Sequence, residues 1–254
     1  MPWDSVRMNS VGYAGYSIPN IAWGTWKTGN DQVSTDRVKQ ALDIGFKHID
    51  TAQAYRNETE AGIALRETSL SREDLFITTK YSGTNGLDVD TSIRNSLGVE
   101  YVDLYLIHSP RLAVPDIPTA WAKMEKIKEA GLARCNTSVF FVLLAARNLQ
   151  ICRSIGVSNF DEKDLKVLLA SAKIKPDVNQ ILLHPYVYRR QLPILEYAAR
   201  HDIVIEAYSA LIPITHEPGG PLDAPLNRIA SRLGATTDQV LLAWTKAKGA
   251  VVVT

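Results

Sequence analysis

The chain has 254 residues, 46% of them hydrophobic, and its 28 Lys and Arg against 27 Asp and Glu leave a formal charge of +1. That length and apolar content suit one large α/β domain with a sizeable core. The charge balance argues against nucleic acid or an anionic membrane as the main partner.

The first residues, Met1 to Arg7, lack the basic-then-apolar order of a secretory leader. The longest apolar run, Val139 to Ala146, is far short of the roughly 20 residues that cross a bilayer. Cys135 and Cys152 make no disulfide framework, so a cytoplasmic protein is expected. In chain order, Val6 to Pro19 with turn-like Gly12 and Gly15 predicts a β-hairpin. Strand Ile21–Trp26 leads to helix Val33–Ile44, whose apolar Val38, Ala41 and Leu42 share a face and whose stop signal is Gly45. Strand Lys47–Thr51 is followed by helix Glu58–Glu67, and strand Leu75–Lys80 precedes strand Val102–His108 and helix Pro118–Ala130. Ser154–Asn159, Val178–Ile181 and Ile203–Tyr208 come next as strands, with helices at Glu162–Ala172, Gln191–His201, Leu226–Leu233 and Asp238–Lys248. Ala250–Thr254 is the last strand. Short β-branched runs alternating with helical patterns predict βαβ units and a parallel sheet. Eight such strands in about 250 residues predict a single (β/α)₈ TIM barrel over 1–254, with the hairpin across its floor.

In such a barrel the chemistry sits at the C-terminal strand ends. Asp50 ends "KHID", Tyr55 comes shortly after in "TAQAY", Lys80 ends "LFITTK" and His108 ends "VDLYLIH". Each alone is more often structural. Together they converge on one mouth. A phenol with an ordinary pKa of about 10 is a poor acid near neutrality, and a neighbouring ammonium lowers that value. Lys80 is placed to supply the charge, Asp50 to hold Lys80, and His108 to orient a carbonyl oxygen. Hydride arriving at a carbonyl carbon while Tyr55 protonates the oxygen would make an alcohol.

The stretches "GTW" at 24–26, "GFKHIDTAQAYRNE" at 45–58, "DLFITTK" at 74–80, "YVDLYLIHSP" at 101–110, "SIGVSNF" at 154–160, "VNQILLHP" at 178–185, "IEAYSAL" at 205–211 and "VVVT" at 251–254 resemble the aldo-keto reductase family, in family order and nearly over the whole chain. The likeness is to a fungal-like NADPH-dependent aldehyde or ketone reductase, in which Asp50, Tyr55, Lys80 and His108 match the catalytic tetrad. It implies a nicotinamide cofactor, usually NADPH with NADH also open. Ser158, Asn159 and Gln180 would hold the carboxamide and Tyr208 would stack on the nicotinamide. Ser209 and Leu211 would approach the pyrophosphate, and Gly24, Thr25 and Asp50 the ribose. Trp26, with Tyr55 and His108, would wall the substrate side. There is no G-x-G-x-x-G, so a Rossmann site is excluded. His201 and His216 lack metal-ligand spacing, and no metal is expected. A monomer acting on a small carbonyl compound is expected.

Three departures from the family pattern stand out. Nineteen residues, Cys135 to Arg153, separate "KEAGLAR" from "SIGVSNF" and read as an insert from a retained intron or gene-model error. The helix before "GVEYVDLY" is about three residues short, which rotates the residues after it around the helix axis. The sequence ends after strand eight, so a C-terminally truncated barrel is expected, without the family's basic 2′-phosphate segment and last helix. Two other readings stay open: a cofactor-binding regulatory barrel without catalysis, and a non-functional splice or gene-model fragment of a reductase.

Overall fold

The structure is a computed structural model and describes residues 5–7, 17–92, 97–99, 101–132 and 151–254. A short antiparallel pair, β1 (Ser5–Arg7) and β2 (Ser17–Pro19), precedes a closed parallel barrel. The barrel strands are β3 (Ile21–Gly24), β4 (His48–Asp50), β5 (Phe76–Tyr81), β6 (Tyr101–Ile107), β7 (Ile151–Ser158), β8 (Val178–Leu182), β9 (Val204–Tyr208) and β10 (Ala250–Val253). They run around the barrel in chain order, and β10 closes against β3. Around them lie α1 (Gln32–Asp43), α2 (Glu58–Glu67), α3 (Val89–Ser92), α4 (Ile117–Leu132), α5 (Glu162–Ser171), α6 (Tyr188–Arg200), α7 (Ile212–Thr215), α8 (Asp223–Leu233) and α9 (Thr237–Ala247).

The two-residue period of the strands builds two cores. One set of side chains, including Ile49, Ile77, Ile107, Val157, Ile181 and Ile205, points outward and packs with helical residues such as Val38, Leu65, Trp121 and Leu168. The alternate set, Phe76, Leu104, Leu106, Val178 and Val251, fills the lumen. Both faces are therefore apolar, which is why the strands read as β-branched runs without alternation. Each fully buried Leu, Ile or Val contributes about 1.5–3 kcal/mol. Ile18 of β2 joins the lumen cluster, so the hairpin lies across the barrel floor. Its turn, with Gly12 and Gly15, lies outside the described residues.

Local signals set the helix ends. Asp31 caps α1 by accepting the Ser34 amide at 3.3 Å. Gly45, at φ +105°, ends that helix in a backbone conformation that favours glycine. Reciprocal capping boxes start α5 (Asp161 with Asp164) and α9 (Thr236 with Gln239).

The segment read as an insert needs one correction. Strand β7 begins at Ile151, three residues before the predicted Ser154, and pairs Ile151 with Tyr101 and Cys152 with Val102. The reason is the partner strand: β6 starts at Tyr101, and its first residues need a neighbour. Arg153 adds to this edge, with its guanidinium 4.1 Å from the Tyr101 ring centre and a contact of 3.5 Å to Asp103. The rest of the insert, and the shortened helix end at 93–96, lie outside the described residues.

Candidate active site

Above the apolar lumen is a polar layer, and above that the mouth. Ser158, Gln180 and Glu206 sit side by side on β7, β8 and β9. Across the lumen, Asp50 ends β4 and Lys80 lies near the end of β5. Lys80 is wholly buried. Its Nζ donates to Asp50 Oδ1 at 2.5 Å, to the Thr51 carbonyl at 2.9 Å and to the Tyr55 hydroxyl at 3.3 Å. Tyr55 reaches this position on a single 3₁₀ turn, Gln53–Tyr55, closed by Arg56 at φ +60°. The structure thus brings Asp50, Tyr55 and Lys80 into one hydrogen-bonded unit. His108, one residue beyond β6, packs its ring edge-on to Tyr55 at 5.6 Å. Trp26 covers the other side of Tyr55 at 4.9 Å and is 58% exposed.

The electrostatics arise from burial. Burial alone would lower the Lys80 pKa. The Asp50 carboxylate, with smaller help from Tyr55 and Glu206, more than offsets this and holds it above the ordinary lysine value. For Tyr55 the sequence predicts a pKa lowered by Lys80. The pull of Lys80 is present, but burial outweighs it and Asp50 opposes it, so the phenol is raised above 10.0. His108 is pushed down to about 3, first by burial and then by the Lys80 charge.

Reasoning from sequence missed Glu206. It is wholly buried, and burial with the nearby Asp50 charge pushes its carboxyl up to about 8. Gln180 Nε2 lies 2.8 Å from Asp50 Oδ2 and 2.7 Å from Glu206 Oε2. Both its N–H groups are therefore engaged by carboxyl oxygens. The signal was a lone charged residue in the apolar run Ile203 to Ala207. Ser82, whose hydroxyl lies 2.8 Å from His108 Nδ1, carried no sequence signal.

A cavity of about 710 Å³ opens at the barrel mouth. Its lining includes Gly24, Trp26, Asp50, Tyr55, His108, Ser158, Asn159, Gln180, Tyr208, Ser209 and Leu211, together with Lys27, Ile212 and Thr215, which sequence reasoning did not single out, and His216, which it weighed only as a metal ligand. Lys80 lies beneath the lining. Thr25, expected near a ribose, directly follows Gly24 of this lining. It is not among the lining residues, and its buried hydroxyl donates to Thr51 Oγ1 at 2.9 Å, with Asn57 Oδ1 at 3.1 Å. Asn159 acts as a strut at φ +62°. Its Nδ2 donates to the His108 carbonyl and Ser158 Oγ, both at 3.1 Å, and its Oδ1 accepts the Tyr208 hydroxyl at 2.8 Å.

A parallel eightfold barrel with a buried Lys–Asp pair beneath a mouth tyrosine is suited to an enzyme whose site lies at the C-terminal strand ends. The aldo/keto reductase family pattern matches residues 20–137 and 143–214 of this chain. The chain is similar to an aldo/keto reductase of Synechocystis sp., 36% identical over 97% of this chain and 80% of that protein. It is likewise similar to the NAD/NADP-dependent indole-3-acetaldehyde reductase of Schizosaccharomyces pombe (36%; 94% and 79%) and to the methylglyoxal reductase DkgA of Escherichia coli (33%; 94% and 79%). The crystal structure of an aldo/keto reductase from Brucella melitensis superposes with a TM-score of 0.77 at 32% identity, covering 99% of this chain and 88% of that one. The chain belongs to the aldo/keto reductase family and is an NAD(P)H-dependent oxidoreductase. The residues 138–142 that the family match omits fall inside the segment read as an insert.

Proposed function

We propose that the chain reduces the carbonyl group of a small aldehyde or ketone with NADPH, and that Tyr55 is the proton donor. One observation carries the reading: the Tyr55 hydroxyl lies 3.3 Å from the Nζ of a buried lysine, in the lining of the cavity that also holds Ser158, Gln180 and Tyr208.

The lining fits a nicotinamide. Tyr208 offers a flat aromatic face. Because both N–H groups of Gln180 are engaged by carboxyls, its carbonyl oxygen is left to accept from a carboxamide. When bound, the reduced cofactor supplies a hydride. The protein's own part is the proton. Tyr55 is protonated at neutral pH as any phenol is, and burial, by raising its pKa, extends that range upward. As negative charge grows on the carbonyl oxygen, the phenol proton moves to it and the product is an alcohol. The phenolate left behind is stabilised by Lys80, whose own charge is fixed by Asp50. Neutral His108 orients the carbonyl oxygen, and Trp26 walls the substrate side.

The preference for NADPH over NADH rests on the family resemblance, and one relative carries both cofactors in its name. The test is oxidation of NADPH and of NADH tracked by absorbance with a panel of small aldehydes and ketones, methylglyoxal and indole-3-acetaldehyde included. Turnover with alcohol formation, faster with NADPH, is expected. Cofactor binding without turnover of any carbonyl would make the chain a binding barrel instead.

A further inference from the structure

We propose that Ser82 is a positioning residue whose hydroxyl holds His108 in the tautomer bearing its proton on Nε2. The inference rests on the reductase reading above and deepens it. Ser82 comes directly after β5 and is tied to the loop that carries Tyr55. Its amide donates to Gln53 Oε1 at 3.1 Å, and the Thr84 amide donates to the same oxygen at 3.3 Å. Its Oγ accepts the Ala54 amide at 3.2 Å. The same Oγ lies 2.8 Å from His108 Nδ1. One side chain therefore joins the Tyr55 loop to the His108 ring.

The direction of that last bond can be decided. A serine hydroxyl has one hydrogen and two lone pairs, and one lone pair is taken by Ala54. Among the described residues the hydrogen has two destinations: His108 Nδ1 at 2.8 Å or the Lys80 carbonyl at 3.5 Å. The first is the ordinary length of a hydroxyl hydrogen bond, and the second lies outside the normal range. If Nδ1 carried the ring proton, the serine hydrogen would be left with only the 3.5 Å partner. The shorter contact wins, so Ser82 donates and Nδ1 accepts. His108 is neutral across the working range, held so by burial and by the Lys80 charge. A neutral imidazole has a single N–H, and with Nδ1 accepting, that N–H is on Nε2.

The consequence is chemical. His108 lines the cavity. An Nε2–H there donates to a carbonyl oxygen, whereas the opposite tautomer would present a lone pair and repel it. The Asn159 amide holds the His108 backbone at 3.1 Å and the Tyr55 ring packs against the imidazole, so the ring itself has little freedom. What remains to be chosen is the position of the proton, and Ser82 chooses it.

The test has two arms. With ¹⁵N-labelled histidine, NMR of the intact protein between pH 6 and 9 reads the tautomer directly. His108 is expected to show a bare Nδ1 and a protonated Nε2, and Ser82→Ala to show an exchange-averaged ring. A wild-type His108 protonated on Nδ1 overturns the proposal. In the kinetic arm, Ser82→Ala lowers kcat for carbonyl reduction about tenfold, the scale of one lost hydrogen bond, with the Kd for NADPH unchanged, and Ser82→Thr recovers most of the loss. Wild-type kcat in Ser82→Ala also overturns it. If the wild-type protein reduces no carbonyl, the reductase reading fails, and the NMR arm still decides the role of Ser82.

Discussion

Tyr55 sits between two opposing influences. Burial holds its proton on, and the Lys80 ammonium 3.3 Å away draws it off. The balance suits a group that must be protonated before the reaction and must tolerate negative charge after it. Removing Lys80 tilts this balance in a calculable direction. Lys80→Met should lower carbonyl reduction at least about 10²-fold, the usual scale of general acid catalysis. It should also move the alkaline limb of the pH–rate profile to higher pH, since only the influences that raise the Tyr55 pKa remain. Asp50→Asn should do less harm, because Asp50 acts through Lys80. Steady-state rates from pH 6 to 11, with circular dichroism to confirm folding, check both; an unchanged limb in Lys80→Met would remove Lys80 from the mechanism. Asp50, Tyr55, Lys80 and His108 were legible in the sequence because each polar side chain stands out at the end of an apolar strand or in the loop after it. Ser82 was not, and neither was the buried setting of the Thr25 side chain. A serine after a strand is ordinary, and the register that buries the Thr25 hydroxyl against Thr51 and Asn57 exists only once three loops meet.

Strand β7 shows what spacing can and cannot tell. The run Ser154 to Asn159 was legible as a strand from its β-branched and small residues. Its true start at Ile151 was hidden, because the register is imposed by Tyr101 and Val102 on the neighbouring strand. The same neighbours explain Gly156. A Cβ built there would lie 2.5 Å from the Val178 carbonyl oxygen on β8 and 2.8 Å from Leu106 Cδ2 on β6. Backbone cannot yield as a flexible side chain can. Gly156→Ala should therefore destabilise the barrel by about 1–3 kcal/mol, the usual cost of overpacking. Urea denaturation would show this as a lower midpoint with an unchanged slope. A midpoint equal to that of the wild-type protein would mean that β7 and β8 can part without cost. Because Gly156 lies one turn of the strand pleat below Ser158, the variant should also weaken cofactor binding.

At the scale of the whole molecule, three buried groups, His48, His108 and Glu206, contribute to the response to pH. His48 is pushed down from 6.5 to about 3, chiefly by burial, and His108 likewise. The unfolded chain takes up protons on both near pH 6.5, while the folded protein does not until about 3, so stability falls as pH drops below 6.5. Glu206 runs the other way. The folded protein keeps its proton up to about 8, and the unfolded chain releases it near 4.5, so stability falls as pH rises across that window. Below 6.5 two histidines outweigh one glutamate, and above it the glutamate acts alone. For these groups the melting temperature should peak near pH 6.5, and Glu206→Gln should flatten the decline from there to pH 8. A Glu206→Gln protein with the same alkaline decline would show that Glu206 is already ionised in the fold. The barrel itself was legible from alternating strand and helix patterns. Of the polar layer, Asp50, Lys80, Ser158 and Gln180 stood out near strand ends, whereas Glu206, a single charge inside the apolar run of β9, did not.

Tyr55→Phe asks whether Tyr55 delivers the proton to the carbonyl oxygen. The substitution removes one hydroxyl from a ring held by Trp26 and His108 and leaves the cofactor side of the cavity in place. The measurement is kcat for carbonyl reduction, paired with the Kd for NADPH by fluorescence titration. With Tyr55 as proton donor, kcat should fall at least about 10²-fold while Kd is unchanged. Turnover near that of the wild-type protein, with the same Kd, would contradict it.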